Sequence, residues 1–176
     1  MIPYPKEKFK LLYADPPYKT TSLTGLCNMP IKELGADNSV LFLWIPNKGK
    51  YTFAQSGLLE SWDYTYNHTI YWRKSQTVGF GHWLRGDIDE MWVCTRGNIK
   101  PHHIQTPNFL QTRSENQTRK PAEIKDLLAQ VAKQANLNPR IELFSRDRTE
   151  GWQILGNELP STTQKNLLEE SESQCA

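Results

Sequence analysis

Four adjacent residues, Asp15-Pro16-Pro17-Tyr18, bring together a carboxylate, a stiff backbone carbonyl and an aromatic ring. The two prolines fix φ, which stiffens the peptide that carries the carbonyl of Pro16. Both groups can accept hydrogen bonds from an amino group attached to a base. The lone pair of that nitrogen is delocalised into the ring, and such hydrogen bonds favour the pyramidal form that can attack an electrophilic methyl group. Tyr18 can stack on the base itself.

The same tetrapeptide is also compatible with an ordinary turn, because Pro-Pro dipeptides often mark loops. Its position in the chain nevertheless suits a site. Leu11-Leu12-Tyr13-Ala14 is an apolar run typical of a short buried strand, and Asp15 follows its last residue. Open α/β sheets bind their ligands at the carboxyl ends of strands. On these residues alone, a turn and an active site both remain open.

Other segments have the composition of elements that would position such a site. Five stretches rich in apolar, aromatic or β-branched residues predict further strands: Val40–Ile45, Tyr64–Trp72, Glu90–Thr95, Arg140–Phe144 and Gly151–Glu158. A helix interrupted by Gly57 is plausible between Lys48 and Trp62. This order of strand, helix and strand predicts an α/β fold with a mostly parallel sheet.

The clearest helix begins directly after Lys120. Pro121 fits the first helical position, and apolar residues recur at helical spacing at Ile124, Leu127, Leu128, Val131 and Ala135. Lys120 would add a cation to the backbone amides at the start of this helix, which suits a carboxylate or a phosphate.

Polar residues follow several of the predicted strands, namely Asp15, Asn47, Arg146 and Asn157-Glu158. In a mostly parallel sheet these strand ends share one edge. The sequence therefore predicts that this edge is the site.

Two long polar segments connect predicted strands. Residues 19–38 predict a loop with one helical turn from Pro30, which is either a lid over the site or an ordinary surface connection. Residues 98–119 lack periodicity, and a loop of this length is generally functional or disordered. Their basic residues, including Arg113 and Arg119, suit contacts with phosphate.

Two polar segments contain histidines that suit a ligand. The stretch Gln76–Asp87 combines aromatic residues with His82 and Arg85, and it suits either contact with nucleic acid or packing of its aromatics on the core. The adjacent pair His102-His103 has no carboxylate or cysteine at ligand spacing. We therefore predict no metal site.

Size and composition limit the class of protein. A chain of 176 residues with a formal net charge of +2 and three cysteines predicts one domain with reduced thiols, and any grip on phosphate must come from a local patch. We expect the domain to span residues 1–159 and a disordered tail to span residues 160–176. No apolar run is long enough to span a bilayer and no signal peptide is evident, which predicts a cytoplasmic protein.

Several motifs occur in a characteristic order. They are Asp15-Pro16-Pro17-Tyr18, Leu41-Phe42-Leu43-Trp44, Gly81-His82-Trp83-Leu84-Arg85-Gly86, Thr95-Arg96-Gly97, Arg119-Lys120-Pro121, Ile141-Glu142-Leu143-Phe144 with Arg146, and Gly151-Trp152 through Gly156-Asn157-Glu158. In this respect the chain, over roughly residues 9–159, resembles the adenine-N6 methyltransferase family. That family includes the catalytic subunit of the messenger-RNA adenosine methyltransferase and short bacterial and phage DNA adenine methyltransferases.

The resemblance implies a Rossmann-like fold that uses S-adenosylmethionine, with helices on both faces of the sheet and a permuted order in which the catalytic motif precedes the cofactor-binding motif. Its implied catalytic residues are Asp15, Pro16, Pro17 and Tyr18. Its implied cofactor-binding residues are Asp15, Lys120, Phe144, Arg146, Asn157 and Glu158. Candidate nucleic-acid contacts are Tyr18, Asn47, His82, Arg85, Arg113, Thr118 and Arg119, some of them in two gate loops.

The resemblance implies DNA adenine as substrate, with RNA adenosine as the alternative. Protein glutamine methylation fits less well, because such enzymes usually have Asn where Asp15 stands. An alternative of a different class is a non-catalytic subunit that presents nucleic acid to an active one. We expect a homodimer, or a heterodimer with a recognition subunit, in a bacterial or phage setting.

Three departures from the family pattern stand out. Tyr18 replaces a tryptophan that is common in eukaryotic members. Longer members use an upstream acidic residue to contact the adenine of the cofactor, but only fourteen residues precede Asp15 here. We therefore expect that contact to be absent or supplied differently. The family also has an acidic residue near the start of the strand that leads into Thr95, and both Asp89 and Glu90 are candidates for it.

Overall fold

The computed structural model describes residues 4–47, 49–75, 86–100, 106–113, 120–145 and 148–156. Within these ranges the elements follow one another as β1 (Phe9–Ala14), α1 (Leu23–Cys27), α2 (Ile31–Leu34), β2 (Gly35–Ile45), α3 (Lys50–Ala54), α4 (Leu58–Trp62), β3 (Thr65–Ser75), β4 (Ile88–Arg96), β5 (Phe109–Arg113), α5 (Ala122–Gln134), β6 (Arg140–Leu143) and β7 (Gln153–Leu155).

The strands form one seven-stranded sheet in the order β5-β3-β4-β2-β1-β6-β7. Strand β4 is antiparallel to both of its neighbours, β2 and β3, whereas all the other neighbouring pairs are parallel. The predicted mostly parallel α/β sheet is therefore confirmed, with β4 as the one reversed strand among those described.

Alternate residues of the central strands face opposite sides of the sheet, as the period of two requires. Leu12 and Leu41 pack with α1 to α4 on one face, while Leu11 and Val40 pack with α5 on the other. Both strands are buried on both sides there, which explains the continuous apolar runs Leu11–Ala14 in β1 and Val40–Ile45 in β2.

Helix α5 has the apolar stripe that the sequence predicts. Ile124, Leu128 and Ala132 are fully buried against the sheet. Pro121 precedes the helix as its extended N-cap residue, with φ −67° and ψ 144°, and is not the first helical residue. The helix ends at Gln134, so the expected periodicity locates it to within about one residue at each end.

Two predicted loops contain more structure than expected. Residues 19–38 hold α1, α2 and the first residues of β2, and the hydroxyl oxygen of Ser22 caps α1 by accepting a hydrogen bond from the Gly25 amide. Strand β5 lies within the segment 98–119, which the sequence reading left without elements. Its residues alternate between exposed and half-buried at the edge of the sheet, so no apolar run marks it.

The sheet topology brings a defined set of residues to one edge. Strands β1, β2, β3, β5, β6 and β7 end there, and β4 begins there because Glu90 pairs with Ile45 at the end of β2. Asp15 and Asn47 consequently share this edge with the first residues of β4. Thr95-Arg96-Gly97, at the end of β4, lies at the opposite edge.

Candidate active site

The tetrapeptide folds into a tight turn directly after β1. The amide of Tyr18 donates to the carbonyl oxygen of Pro16 at 2.9 Å, and the amides of Thr20 and Thr21 donate to the carbonyl oxygen of Pro17. The Pro16 carbonyl therefore already accepts one hydrogen bond within the chain. Because a carbonyl oxygen has two lone pairs, it can accept a second from a substrate amino group.

Tyr18 is held by two contacts. Its hydroxyl donates to the backbone carbonyl of Trp44, and its ring meets Phe53 edge to face with 5.2 Å between the centroids. Burial, together with the nearby Asp15 carboxylate, raises the pKa of Tyr18 well above its ordinary value, so the phenol stays neutral. The ring is fixed beside Asp15, and its stacking on a base stays a prediction.

Lys120 lies at the start of α5 and reaches the same place. Its Nζ is 3.1 Å from Oδ2 of Asp89, 3.8 Å from Oδ1 of Asp15 and 4.1 Å from the ring centroid of Trp44. The Lys120 side chain is 21% exposed and that of Asp15 is 38% exposed, so a ligand can reach both. The sequence placed Lys120 and Asp15 in one site from distant parts of the chain, and the structure brings them together.

Asp89 is the functional candidate that sequence reasoning left undecided. Its carboxylate bridges two ammonium groups, with Nζ of Lys74 at 3.0 Å and Nζ of Lys120 at 3.1 Å. Burial acts to raise the pKa of Asp89, but the charges and hydrogen bonds of Lys120 and Lys74 outweigh it, and the pKa is lowered. Glu90 points elsewhere and pairs with Lys50. Of the two acidic candidates, Asp89 is therefore the one beside the site.

Asn47 fastens the end of β2 to the start of β4. Its side-chain Nδ2 donates to the backbone carbonyl of Ile88 at 2.6 Å and to Oδ1 of Asp89 at 3.2 Å. This is a positioning role for the amide, and the predicted contact of Asn47 with nucleic acid stays a prediction. Arg113 is exposed at the end of β5, level with Ser75 at the end of β3.

The ends of β6 and β7 form the other side of the edge. Phe144 has a left-handed backbone with φ 62°, and its amide donates to the carbonyl of Leu155 at 2.7 Å. A Cβ on Gly156 would lie 2.2 Å from the carbonyl oxygen of Ser145, so only glycine permits this close approach of the two strand ends.

The chain was compared with known proteins on the basis of its sequence. Residues 4–158 match the MT-A70 family. The chain belongs to the MT-A70 family. It is also 23% identical over 192 aligned residues to the Type II methyltransferase M.MunI of a Mycoplasma species, an alignment that covers 89% of this chain and 80% of that protein. These matches confirm the expected family and identify the MT-A70 chain as a methyltransferase.

Several predicted site residues of this MT-A70 protein lie outside the described residues. They are His82, Arg85, Thr118, Arg119, Arg146, Asn157 and Glu158, as is the expected tail at 160–176. The same holds for the histidine pair at 102 and 103.

The described part of the chain contains neither a cluster of metal ligands nor a helix that could cross a membrane. No group of three or more His, Cys, Asp and Glu side chains within it could hold a metal ion. None of the helices within it is long and apolar enough to cross a membrane.

Proposed function

We propose that this MT-A70 protein transfers the methyl group of S-adenosylmethionine to the N6 nitrogen of adenine in DNA. The observation that supports this best is the convergence of Asp15, the Pro16 carbonyl and Lys120 at one sheet edge, although residue 120 is remote from the tetrapeptide in sequence. An amino group seated there meets two acceptors held in fixed positions.

The chemistry assigned to the chain is positioning and charge stabilisation. Asp15 and the Pro16 carbonyl accept hydrogen bonds from the two N–H groups of adenine N6, which favours the form whose lone pair can attack. Positive charge grows on that nitrogen as the N–C bond forms, and the Asp15 carboxylate stabilises it. The bond between the methyl group and the donor sulfur would break at the same time, and the donor would leave as a neutral thioether. The new ammonium-like nitrogen then loses a proton to water. The chain forms no covalent intermediate.

The residues present fit the cofactor class that methyltransferases use. Bound S-adenosylmethionine would supply an electrophilic methyl group together with an amino acid moiety that carries a carboxylate and an ammonium group. Lys120 would attract the first as a cation, and Asp15 would attract the second as an anion. Phe144, half-buried at the end of β6, would lie beside the nucleoside end.

DNA is preferred to RNA because the chain resembles short bacterial and phage DNA adenine methyltransferases. The site chemistry itself is the same for adenine in either polymer. Arg113, exposed at the site edge, is available for phosphate of either kind.

The decisive experiment measures transfer of labelled methyl groups to single-stranded DNA, duplex DNA and RNA of one sequence, with identification of N6-methyladenine by mass spectrometry. Asp15→Ala should lower the rate about 100-fold or more, because it removes one positioned electrostatic contact. Asp37→Ala, at the opposite edge of the sheet, is the matched control and should leave the rate unchanged. A folded Asp15→Ala protein with near wild-type activity would refute the assignment.

We also propose that a second copy of the chain docks on the outer face of β3, β4 and β5. Large apolar side chains are exposed there, with Tyr71 37% exposed, Ile88 40% and Phe109 48%. Tyr71 pairs with both Phe109 and Glu90, so these side chains share the face on which α3 lies. Exposed apolar patches of this kind mark interaction surfaces.

Two ion pairs on this face, away from Arg113 at the strand ends, suit a protein partner. Cations and carboxylates alternate as the pairs Lys50–Glu90 and Arg73–Asp87, so a two-fold axis can place the cation of one copy on the carboxylate of the other. The phosphates of a nucleic acid would be repelled by both carboxylates.

Sedimentation equilibrium tests this surface. The double variant Tyr71→Lys with Phe109→Lys should shift the dimer to monomer, while Tyr4→Lys, an exposed tyrosine ahead of β1, should not. A wild-type chain that is monomeric at every concentration would contradict the homodimer and favour a different recognition subunit.

A further inference from the structure

Trp44 lies directly beneath the proposed site and is 1% exposed. Three of its groups make specific contacts. Its ring face carries the ammonium of Lys120 at 4.1 Å, its indole nitrogen donates to the Tyr13 hydroxyl at 2.8 Å, and its backbone carbonyl accepts from Tyr18. No role follows for this residue from the proposed chemistry, and the sequence marked it only as part of an apolar motif.

A second tryptophan repeats the arrangement. The ammonium of Lys74 lies 5.1 Å from the ring centroid of Trp72, and the rings of Trp72 and Trp44 meet edge to face at 6.0 Å. Both ammonium groups share the carboxylate of Asp89. The buried rings of Trp44 and Trp72 thus lie against two lysine ammonium groups, and the Asp89 carboxylate joins those ammonium groups.

We propose that Trp44 is a positioning residue for methyl transfer, which acts by holding the Lys120 ammonium on its ring face beside Asp15. The role of Lys120 is part of the proposed function, so the role of Trp44 rests on that function. A ring face attracts a cation through its quadrupole and does so most strongly where water is excluded. Unlike a carboxylate, it accomplishes this without adding a negative charge.

The distances show why this matters. The ammonium is 3.1 Å from Asp89 but 3.8 Å from Asp15, a separation longer than a hydrogen bond. Trp44 and Asp89 together thus keep Lys120 next to Asp15 without close contact. If the attraction of the ring is weakened, the ammonium moves onto the carboxylate of Asp15 and competes with the substrate amino group for its oxygens. The expected defect is therefore in kcat more than in the KM for the cofactor.

The test replaces Trp44 site-specifically with tryptophans that carry one, two or three ring fluorines. Fluorine weakens the negative potential of the ring face while nearly preserving its shape, and the backbone carbonyl that holds Tyr18 is unchanged. We expect kcat to fall stepwise with each fluorine, reaching a loss of about tenfold, which corresponds to most of a desolvated cation–π contact. The midpoint of thermal unfolding should change little.

Trp62 is the matched control. It is also fully buried, and its indole nitrogen also donates a hydrogen bond, to the Leu26 carbonyl at 2.9 Å, but no cation–π contact to its ring occurs among the described residues. The same fluorinated series at Trp62 should leave kcat unchanged. The series at Trp72 should give a smaller loss than that at Trp44, because its cation is farther away.

Two outcomes separate this inference from the proposed function. The ε-methylene protons of Lys120, assigned by comparison with Lys120→Arg, should resonate upfield of those of other lysines because of the ring current, and this requires no activity. An active wild-type enzyme with a flat series at Trp44, or without the upfield signal, overturns the role of Trp44 alone. A wild-type protein that binds the cofactor but does not methylate adenine overturns the proposed function, and with it the catalytic role of Trp44.

Discussion

At the edge where β1 ends, Lys120 lies between Asp15 and Asp89, whereas at the opposite edge Arg96 lies between α4 and the turn from α2 to β2. Nη1 of Arg96 donates to the carbonyls of Lys32 and Gly35, and its Nη2 is 3.1 Å from Asp63. The guanidinium is thereby occupied by groups of its own chain. At the first edge, Lys120 and Asp15 are close to each other and both remain partly exposed.

The opposite edge nevertheless contains a cleft of about 350 Å³. Its lining consists of Asp37, Asp63, Thr65, Thr95, Arg96 and Gly97. The backbone there is closely packed, since a Cβ on Gly97 would lie 2.0 Å from the carbonyl of Asp37. The comparison teaches that a recess and charged residues do not suffice for a site. A candidate site also needs charged groups that a ligand can reach, and Lys120 and Asp15 are partly exposed at the edge where β1 ends.

The largest expected difference between the edges concerns their lysines. Lys120→Met should lower methyl transfer about 100-fold, because it removes the cation beside Asp15 and leaves the Asp89 carboxylate with one ammonium partner fewer. Lys32→Met removes a cation that is 58% exposed at the opposite edge and should leave the rate unchanged. Steady-state kinetics with labelled cofactor measures both. Equal effects of the two substitutions would contradict the distinction between the edges.

Arg96→Met should produce the reverse pattern. The free energy of unfolding should fall by about 2 kcal/mol, because two backbone carbonyls lose a charged donor. The kcat of the folded enzyme should not change. Urea unfolding followed by tryptophan fluorescence gives the first quantity, and active-site titration corrects the second for unfolded protein. A specific loss of kcat would show that the opposite edge takes part in the reaction.

Asp89→Asn should cost about tenfold in kcat, because Lys120 loses its nearer carboxylate. Glu90→Gln, the neighbouring control whose partner is Lys50, should cost little.

Acidification provides a separate measurement on Asp89. The pKa of Asp89 is lowered in the folded protein, so its carboxylate contributes stability above its ordinary value of 3.8. This contribution is lost as the pH falls from there through the folded pKa. The difference in unfolding free energy between wild type and Asp89→Asn should therefore be constant near neutral pH and shrink below about pH 4. A difference that grows on acidification would contradict the ion pairs.

Tyr18→Phe is expected to have the smallest effect. It removes the hydrogen bond to the Trp44 carbonyl but keeps a ring that can stack, so kcat/KM should fall only about fivefold. Tyr51→Phe, at a residue that is 84% exposed, is the control. A loss approaching that of Asp15→Ala would instead assign the hydroxyl a direct part in the reaction.

Local patterns in the sequence were sufficient for much of the fold. The apolar runs that form β1, β2 and β6 and the stripe of α5 could be located because burial on a sheet or under a helix leaves a period that a short window contains. Strand β5 could not be located, since its residues alternate between exposed and half-buried and no apolar run marks it. Its parallel pairing with β3 depends on contacts remote in sequence.

The candidate site divides in the same way. Asp15 and Lys120 were accessible to sequence reasoning because each lies next to a local signal, the paired prolines and the start of α5. Asp89 was not, because an acidic residue at the beginning of a strand faces a site only if that strand runs against its neighbours. No local sequence pattern within β4 indicates the direction in which the strand runs. Trp44 was likewise indistinguishable from the other apolar residues of β2.

The amino-acid sequence by itself determined the family, the candidate tetrapeptide and the buried runs of the central strands, since these depend on residue type and on spacing over a few positions. Only the tertiary structure decided that β4 is reversed, that Asp89 and Lys74 therefore lie beside Lys120, and that Arg96 lies at the far edge. The physical reason is that strand direction and the sharing of charge are set by contacts between segments far apart in the chain.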